Sequence, residues 1–137
     1  MNGFVVDSSL ALTWLFPDEA TAATQALLFR LDRETAVVPA WWYVELTNVI
    51  ALAERRGRIT TAQTSAFIAD LAHLDIEVDN DGPARAFTHV LPLCRAAQLT
   101  SYDALYLELA MRRQLPLATL DGPLRKAAKK MGVKVLG

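Results

Sequence analysis

Short apolar runs alternate along this chain with longer stretches in which apolar residues recur every three or four positions. Five runs, at 4–6, 36–38, 76–78, 116–119 and 133–135, read as strands. All are short, several are rich in β-branched residues, and turn or cap residues bound most of them. Between them the helical period predicts a short helix over 8–16 and a longer one over 18–33, with a stripe of Ala23, Leu27, Leu28 and Leu31. A helix over 40–56 stops at Gly57, and another over 61–74 follows. Further helices span 83–97, opened by Pro83, then 101–114, then 123–131, ended by Gly132. Strands separated by helices imply βα units. The expected fold is a three-layer α/β/α sandwich around a central, mostly parallel five-stranded sheet. The consecutive helices within 40–74 form a helical arm between the second and third strands. No repeat or linker interrupts the pattern, so residues 1–137 read as a single domain.

The placement of four acids raises the question of chemistry. Open parallel sheets put their sites at the carboxyl ends of their strands. Asp7 ends the first predicted strand, Asp121 follows the fourth by one residue, and each leads directly into a helix. Each also reads as an ordinary helix N-cap. Glu45 shares its helix side with Trp41, Trp42, Val49 and Leu52, whereas Thr47 and Glu54 mark the exposed side. In "SYDALYLELA", Asp103 lies with Tyr106, Leu107 and Ala110, opposite Glu108 and Arg112, which are expected to face solvent. Inward carboxylates need a partner or a metal. For Glu45 the alternative is a rim position or pairing with Arg56. For Asp103 it is a capping box with Thr100. Four converging acids repel, and a hard divalent cation with oxygen ligands is the natural neutraliser.

Composition narrows the alternatives. Hydrophobic residues make up 53% and charged residues 21%, which argues against disorder. A net charge of −1 and a pI near 6.1 give no bulk signal for nucleic acid, so any such binding rests on local patches. Two basic groups are available: Arg55, Arg56 and Arg58 at the tip of the arm, and Arg125, Lys126, Lys129 and Lys130 on the last helix, a set that reads as a solvated face. Cys94 is the single cysteine, suited to a reducing cytoplasm, and reads as core filler beside Phe87, Val90 and Leu91. The amino-terminal stretch is not a signal peptide, and no run is long enough to span a membrane. His73 and His89 stand apart on different helices, without a zinc spacing.

These residues resemble the PIN-domain ribonucleases. That family ends its first strand with an acid, usually D-x-S, here Asp7-Ser8-Ser9. It carries E-x-x-N in a later helix, here Glu45 with Asn48, and Y-D-A in another, here Tyr102-Asp103-Ala104. It closes with T-x-D, here Thr119-Leu120-Asp121. Each motif is weak alone, but four in order over the whole chain make a specific signal. The run "SYDALYLELA…LATLD" looks most like the VapC-type toxins of toxin–antitoxin pairs. The resemblance implies a PIN-like fold and Mg²⁺-dependent endoribonuclease activity, with Mn²⁺ as a substitute. Asp7, Glu45, Asp103 and Asp121 would bind metal directly or through water. Ser9 and Thr119, with Asn48 as a weaker candidate, would hold carboxylates in place. Arg55, Arg56 and Arg58 would touch RNA or a partner. A cognate antitoxin and a homodimer are the expected partners, with Trp14, Phe16, Trp41 and Trp42 divided between interface and core.

Two rival readings differ in what they require. A haloacid-dehalogenase-like phosphatase wants a second Asp two residues after Asp7, where this chain has Ser9. A non-catalytic interaction module would not need four converging acids.

Overall fold

The computed structural model describes residues 2–137. Five parallel strands form the sheet in the order β3-β2-β1-β4-β5. They are β1 (Gly3–Val6), β2 (Thr35–Pro39), β3 (Ile76–Asp79), β4 (Leu117–Ala118) and β5 (Val135–Leu136). The helices are α1 (Ser8–Ala11), α2 (Ala22–Arg30), α3 (Trp41–Arg55), α4 (Thr61–Leu71), α5 (Gly82–Arg85), α6 (Leu91–Ala97), α7 (Ser101–Arg113) and α8 (Gly122–Lys130). Helices flank the sheet, and every strand pair is parallel. The continuous apolar runs follow from this. Phe4, Val5, Val6, Val37, Val38 and Leu117 are completely buried, because a sheet covered on both faces has no solvent side to alternate toward.

The chain first winds outward from β1 through β2 to β3, then returns to place β4 on the other side of β1. That reversal makes a crevice at the carboxyl ends of β1 and β4, where sheets of this kind bind ligands. At its other end β1 runs close beside β2. A Cβ on Gly3 would collide with the Thr35 carbonyl oxygen, so this position needs glycine.

Several expectations change in detail. The segment expected as one helix over 83–97 is α5, a wide π-helical turn (Ala86–Val90), and α6. Pro92 supplies the cause: it has no N–H for the Thr88 carbonyl, and its ring crowds that carbonyl. The 18–33 helix shortens to α2, capped by Thr21 after a 3₁₀ turn at Pro17–Glu19. Its buried residues are Thr24 and Leu27, followed by Leu31, while Ala23 is exposed.

Glu108 and Arg112 do not face solvent. Glu108 is 5% exposed and pairs with both Arg85 and Arg112. Arg112 also grips Asp79 through two parallel bonds, at 2.9 and 2.8 Å. These pairs tie α7 to α5 and to the end of β3. Cys94 packs against the core but only at its margin. It is half-buried on an apolar groove of about 540 Å³, together with Phe87, Val90 and Leu91. Only Val90 of that stripe is fully buried, and Phe87 is 84% exposed. Of the four bulky aromatics, Phe16 and Trp42 are core, Trp14 is half-buried with its indole N–H on the Thr24 carbonyl, and Trp41 remains exposed. Among the described residues, no helix is long and apolar enough to cross a membrane.

Candidate functional site

Asp7 leaves β1 in extended conformation, with its N–H still on the Ala118 carbonyl of β4, and caps α1 through Leu10 N at 3.0 Å. Its side chain is 3% exposed. Ser9 Oγ donates to it at 2.8 Å, and Thr119 Oγ1 reaches its other oxygen from the end of β4. Even with three donors, burial dominates and pushes the carboxyl from 3.8 up to about 6; the Asp103 charge adds to the rise.

The loop after β4 is knitted to the same centre. Leu120 N donates to Ser9 Oγ at 3.1 Å, and Asp121 N to Thr119 Oγ1 at 3.0 Å. Asp121 then caps α8 through Leu124 N at 2.9 Å. Capping and a place at the sheet edge therefore coincide for Asp7 and for Asp121. Ser9 and Thr119 both donate hydrogen bonds to the Asp7 carboxylate.

Glu45 is half-buried on α3 and accepts a hydrogen bond from the Tyr106 hydroxyl of α7, so Arg56 is not its partner. Burial raises its pKa, and the Asp103 charge raises it further; hydrogen bonds from Tyr106 and Ser8 work the other way. Asp103 is also half-buried and raised, first by burial and then by the charge of Asp121. Its backbone N–H meets Thr100 Oγ1 at 3.3 Å. The return bond of a capping box is absent, which leaves the carboxylate uncommitted. Asp103 thus couples electrostatically to each of the other three acids.

None of the four has a cationic partner among the described residues, whereas Asp79, Glu77 and Glu108 are each paired with arginine. The contrast appears in the pKa directions. Asp79 is lowered, chiefly by hydrogen bonds from Arg112, while Asp7, Glu45 and Asp103 are all raised. Among the described residues, no three Asp, Glu, His or Cys side chains stand close enough together to ligate a single ion. The donor set still fits a hard cation that keeps much of its water. It is all carboxylate oxygen, uncompensated by arginine or lysine, and magnesium commonly takes only one or two carboxylates directly.

Asn48 is exposed, beside Val44, Thr47 and Ala51, and makes no hydrogen bond to the four acids among the described residues. Arg55 and Arg56 are exposed at the end of α3. Arg58 is tethered: its guanidinium lies 3.7 Å from the Phe16 ring centroid and pairs with Asp18 and Glu19. It borders a cleft of about 450 Å³ that Ser9 and Asp121 also line. Tyr106 and Ser8 escaped the sequence reading as site residues. The signal for Tyr106 was its place three residues after Asp103, on the same helix face.

A parallel α/β sheet with acids grouped at its switch point defines the class of fold. Within that class, the PIN domain family model matches residues 4–130, and the chain belongs to this family. PIN domains are generally nucleases and typically use divalent metals. The chain is similar in structure to PAE2754 from Pyrobaculum aerophilum, at 21% identity and TM-score 0.70, covering 98% of this chain and 90% of that one. It is similar to VapBC2 from Rickettsia felis, solved bound to a DNA fragment from their promoter, at 10% identity and TM-score 0.70, with 97% and 96% covered. FitAcB from Neisseria gonorrhoeae matches at 16% identity and TM-score 0.65, with 98% and 96% covered. A comparison with curated proteins finds no match.

Proposed function

We propose that this chain is a divalent-metal-dependent endoribonuclease, the toxin of a toxin–antitoxin pair, that hydrolyses RNA phosphodiester bonds at Asp7, Glu45, Asp103 and Asp121. One observation carries the reading: Ser9 and Thr119 knit Asp7 and the Asp121 loop together at the carboxyl edge of the sheet, and none of the four acids has a cationic partner among the described residues. Membership of the PIN family supports nuclease chemistry.

The four acids would hold Mg²⁺, or Mn²⁺ in its place, directly or through water. When bound, the ion supplies an activated water nucleophile and offsets charge on the phosphate. The protein's own part is positioning. Ser9, Thr119 and Leu10 N fix the Asp7 carboxylate, Tyr106 fixes Glu45, and Leu124 N fixes Asp121. Asp103, whose carboxylate makes no hydrogen bond among the described residues, would help hold the ion or orient the attacking water. Exposed Arg55 and Arg56 would meet RNA or a partner, with Arg58 held by Asp18 and Glu19 at the border of the cleft that Ser9 and Asp121 line.

The named toxin–antitoxin neighbours support a cognate antitoxin as partner, and the exposed apolar residues Phe87 and Leu91 are compatible with a homodimer. We place its action in the cytoplasm, where RNA is available and a lone free cysteine is stable. A haloacid-dehalogenase-type phosphatase is disfavoured because Ser9 serves Asp7 as a hydrogen-bond donor where a second catalytic Asp would stand. A pure interaction module leaves the unpaired acids without a role.

The test is cleavage of a mixed RNA pool with Mg²⁺ or Mn²⁺, with and without chelator. Cleavage that chelation stops and Asp103→Asn removes supports the reading. Cleavage that survives chelation refutes it.

A further inference from the structure

Helices α3 and α7 are bridged by two pairs of residues. The inner pair is the Tyr106 hydroxyl on the Glu45 carboxylate. The outer pair is Trp41 and Tyr102, stacked with ring centroids 5.1 Å apart and planes 18° from parallel. Both outer residues lie four positions before their inner counterparts, on the same helix faces. The aromatic stack therefore stands one helical turn, about 5.4 Å, from the carboxylate pair, toward the amino-terminal ends of both helices. Tyr102 also directly precedes Asp103. Trp41 is 37% exposed and Tyr102 49% exposed, an unusual concentration of flat apolar surface beside an acidic site.

Resting on the nuclease reading, we propose that the Trp41–Tyr102 stack is a platform for an unpaired nucleobase of the RNA, adjoining the phosphate handled by the four acids. Every base has a π-face, and exposed aromatic rings bind single strands by stacking without regard to sequence. A base locked in a duplex cannot offer that face, so the platform selects single-stranded substrate. The spacing suits this occupant. Nucleotides in a stacked strand rise about 3.4 Å each, so one helical turn keeps the stacked base within about two nucleotides of the reacting phosphate.

Charge favours a nucleotide over an apolar peptide. No side chain caps the first turn of α3, so the positive end of its dipole lies beside Trp41 without a side-chain acceptor. The N-terminus of a 15-residue helix suits the phosphate attached to such a base.

The test uses the full chain with Mn²⁺ and a single-stranded RNA oligonucleotide that it cleaves, resynthesised with one abasic nucleotide at each position around the cleaved bond. One abasic position is expected to raise KM about 5- to 150-fold, with kcat changed less than about twofold. Trp41→Ala and Tyr102→Ala raise KM similarly on intact RNA and become indifferent to the abasic nucleotide. Trp41→Phe, which keeps a flat ring, retains most of the wild-type KM. The abasic series on wild-type protein holds the test open even where an alanine variant folds poorly. Unchanged KM in both alanine variants, a loss confined to kcat, or no sensitive abasic position overturns the platform. Alanine variants that cleave normally but lose a protein partner overturn it too, and assign the stack to that partner. A wild-type protein that cleaves no RNA with Mn²⁺ fails at the nuclease reading itself, and the platform falls with it.

Discussion

Replacing Asp7 by Asn separates what the residue costs the fold from what it does for a metal. Burial raises its carboxyl from 3.8 to about 6, so ionising it in the folded protein is harder than in the unfolded chain. The folded state binds the proton more tightly. Stability from this group is therefore complete below pH 3.8, and is lost as pH rises from there through about 6. By pH 7 the loss amounts to roughly 3 kcal/mol, against roughly half a kcal/mol at pH 4. Asparagine imitates the neutral form. Its single carbonyl oxygen can still accept from Leu10 N and Ser9, with the amide NH₂ donating to the Thr119 hydroxyl oxygen, and it is an equally good N-cap. The metal-free Asp7→Asn variant is therefore expected to be more stable than wild type by about 2–3 kcal/mol at pH 7, shrinking to under about 1 kcal/mol at pH 4. Urea unfolding at both pH values, with chelator present, measures this. Saturating Mn²⁺ should stabilise wild type and leave the variant nearly unmoved, because only the ionised acid gains from the cation. If the variant is less stable than wild type at pH 7, or if its advantage does not shrink toward pH 4, the argument that burial strains Asp7 is wrong.

Other consequences are as direct. Thr119→Val removes a donor that favours ionised Asp7, so the Asp7 carboxyl pKa, followed by carbon NMR in metal-free protein, should climb above its wild-type value; a fall or no change contradicts the assigned hydrogen bond. Arg112→Met removes the two-bond partner of Asp79 and one of the two arginines on Glu108, and should destabilise by up to about 3 kcal/mol in denaturant unfolding, where a loss under about 1 kcal/mol would mean the cluster is not coupled to the fold. Gly3→Ala forces a methyl against the Thr35 carbonyl and should cost about 1–3 kcal/mol, read by the shift in thermal midpoint.

What could be read from the chain and what could not divide along a physical line. Asp7 and Asp121 were legible because a parallel strand ending in an acid and entering a helix is local information, and the sheet order then places both at one crevice. Inward Glu45 and Asp103 were legible from helical period alone. Periodicity misplaced Glu108 and Arg112, which it assigned to solvent. Their burial depends on Asp79 and Arg85, brought in from distant parts of the chain, and a charge with a tertiary partner can sit where an unpaired one cannot. The stripe of Phe87, Val90, Leu91 and Cys94 looked like core for the same reason. An apolar face is visible in sequence, but whether anything covers it is not. Asn48 follows its motif spacing, yet it is exposed and makes no hydrogen bond to the four acids among the described residues. The interruption at Pro92 was within reach, since a proline inside a helical run disturbs the preceding turn.

The central claim is that Asp7, Glu45, Asp103 and Asp121 act together on one kind of ion. Titrating Mn²⁺ at pH 7, with free ion followed by electron paramagnetic resonance, tests it across wild type and the four variants Asp7→Asn, Glu45→Gln, Asp103→Asn and Asp121→Asn. The account predicts saturable binding by wild type and weaker binding by every variant, with Asp103→Asn among the weakest because its charge touches the other three. Wild-type affinity in all four variants, or no saturable binding by wild type, would contradict it.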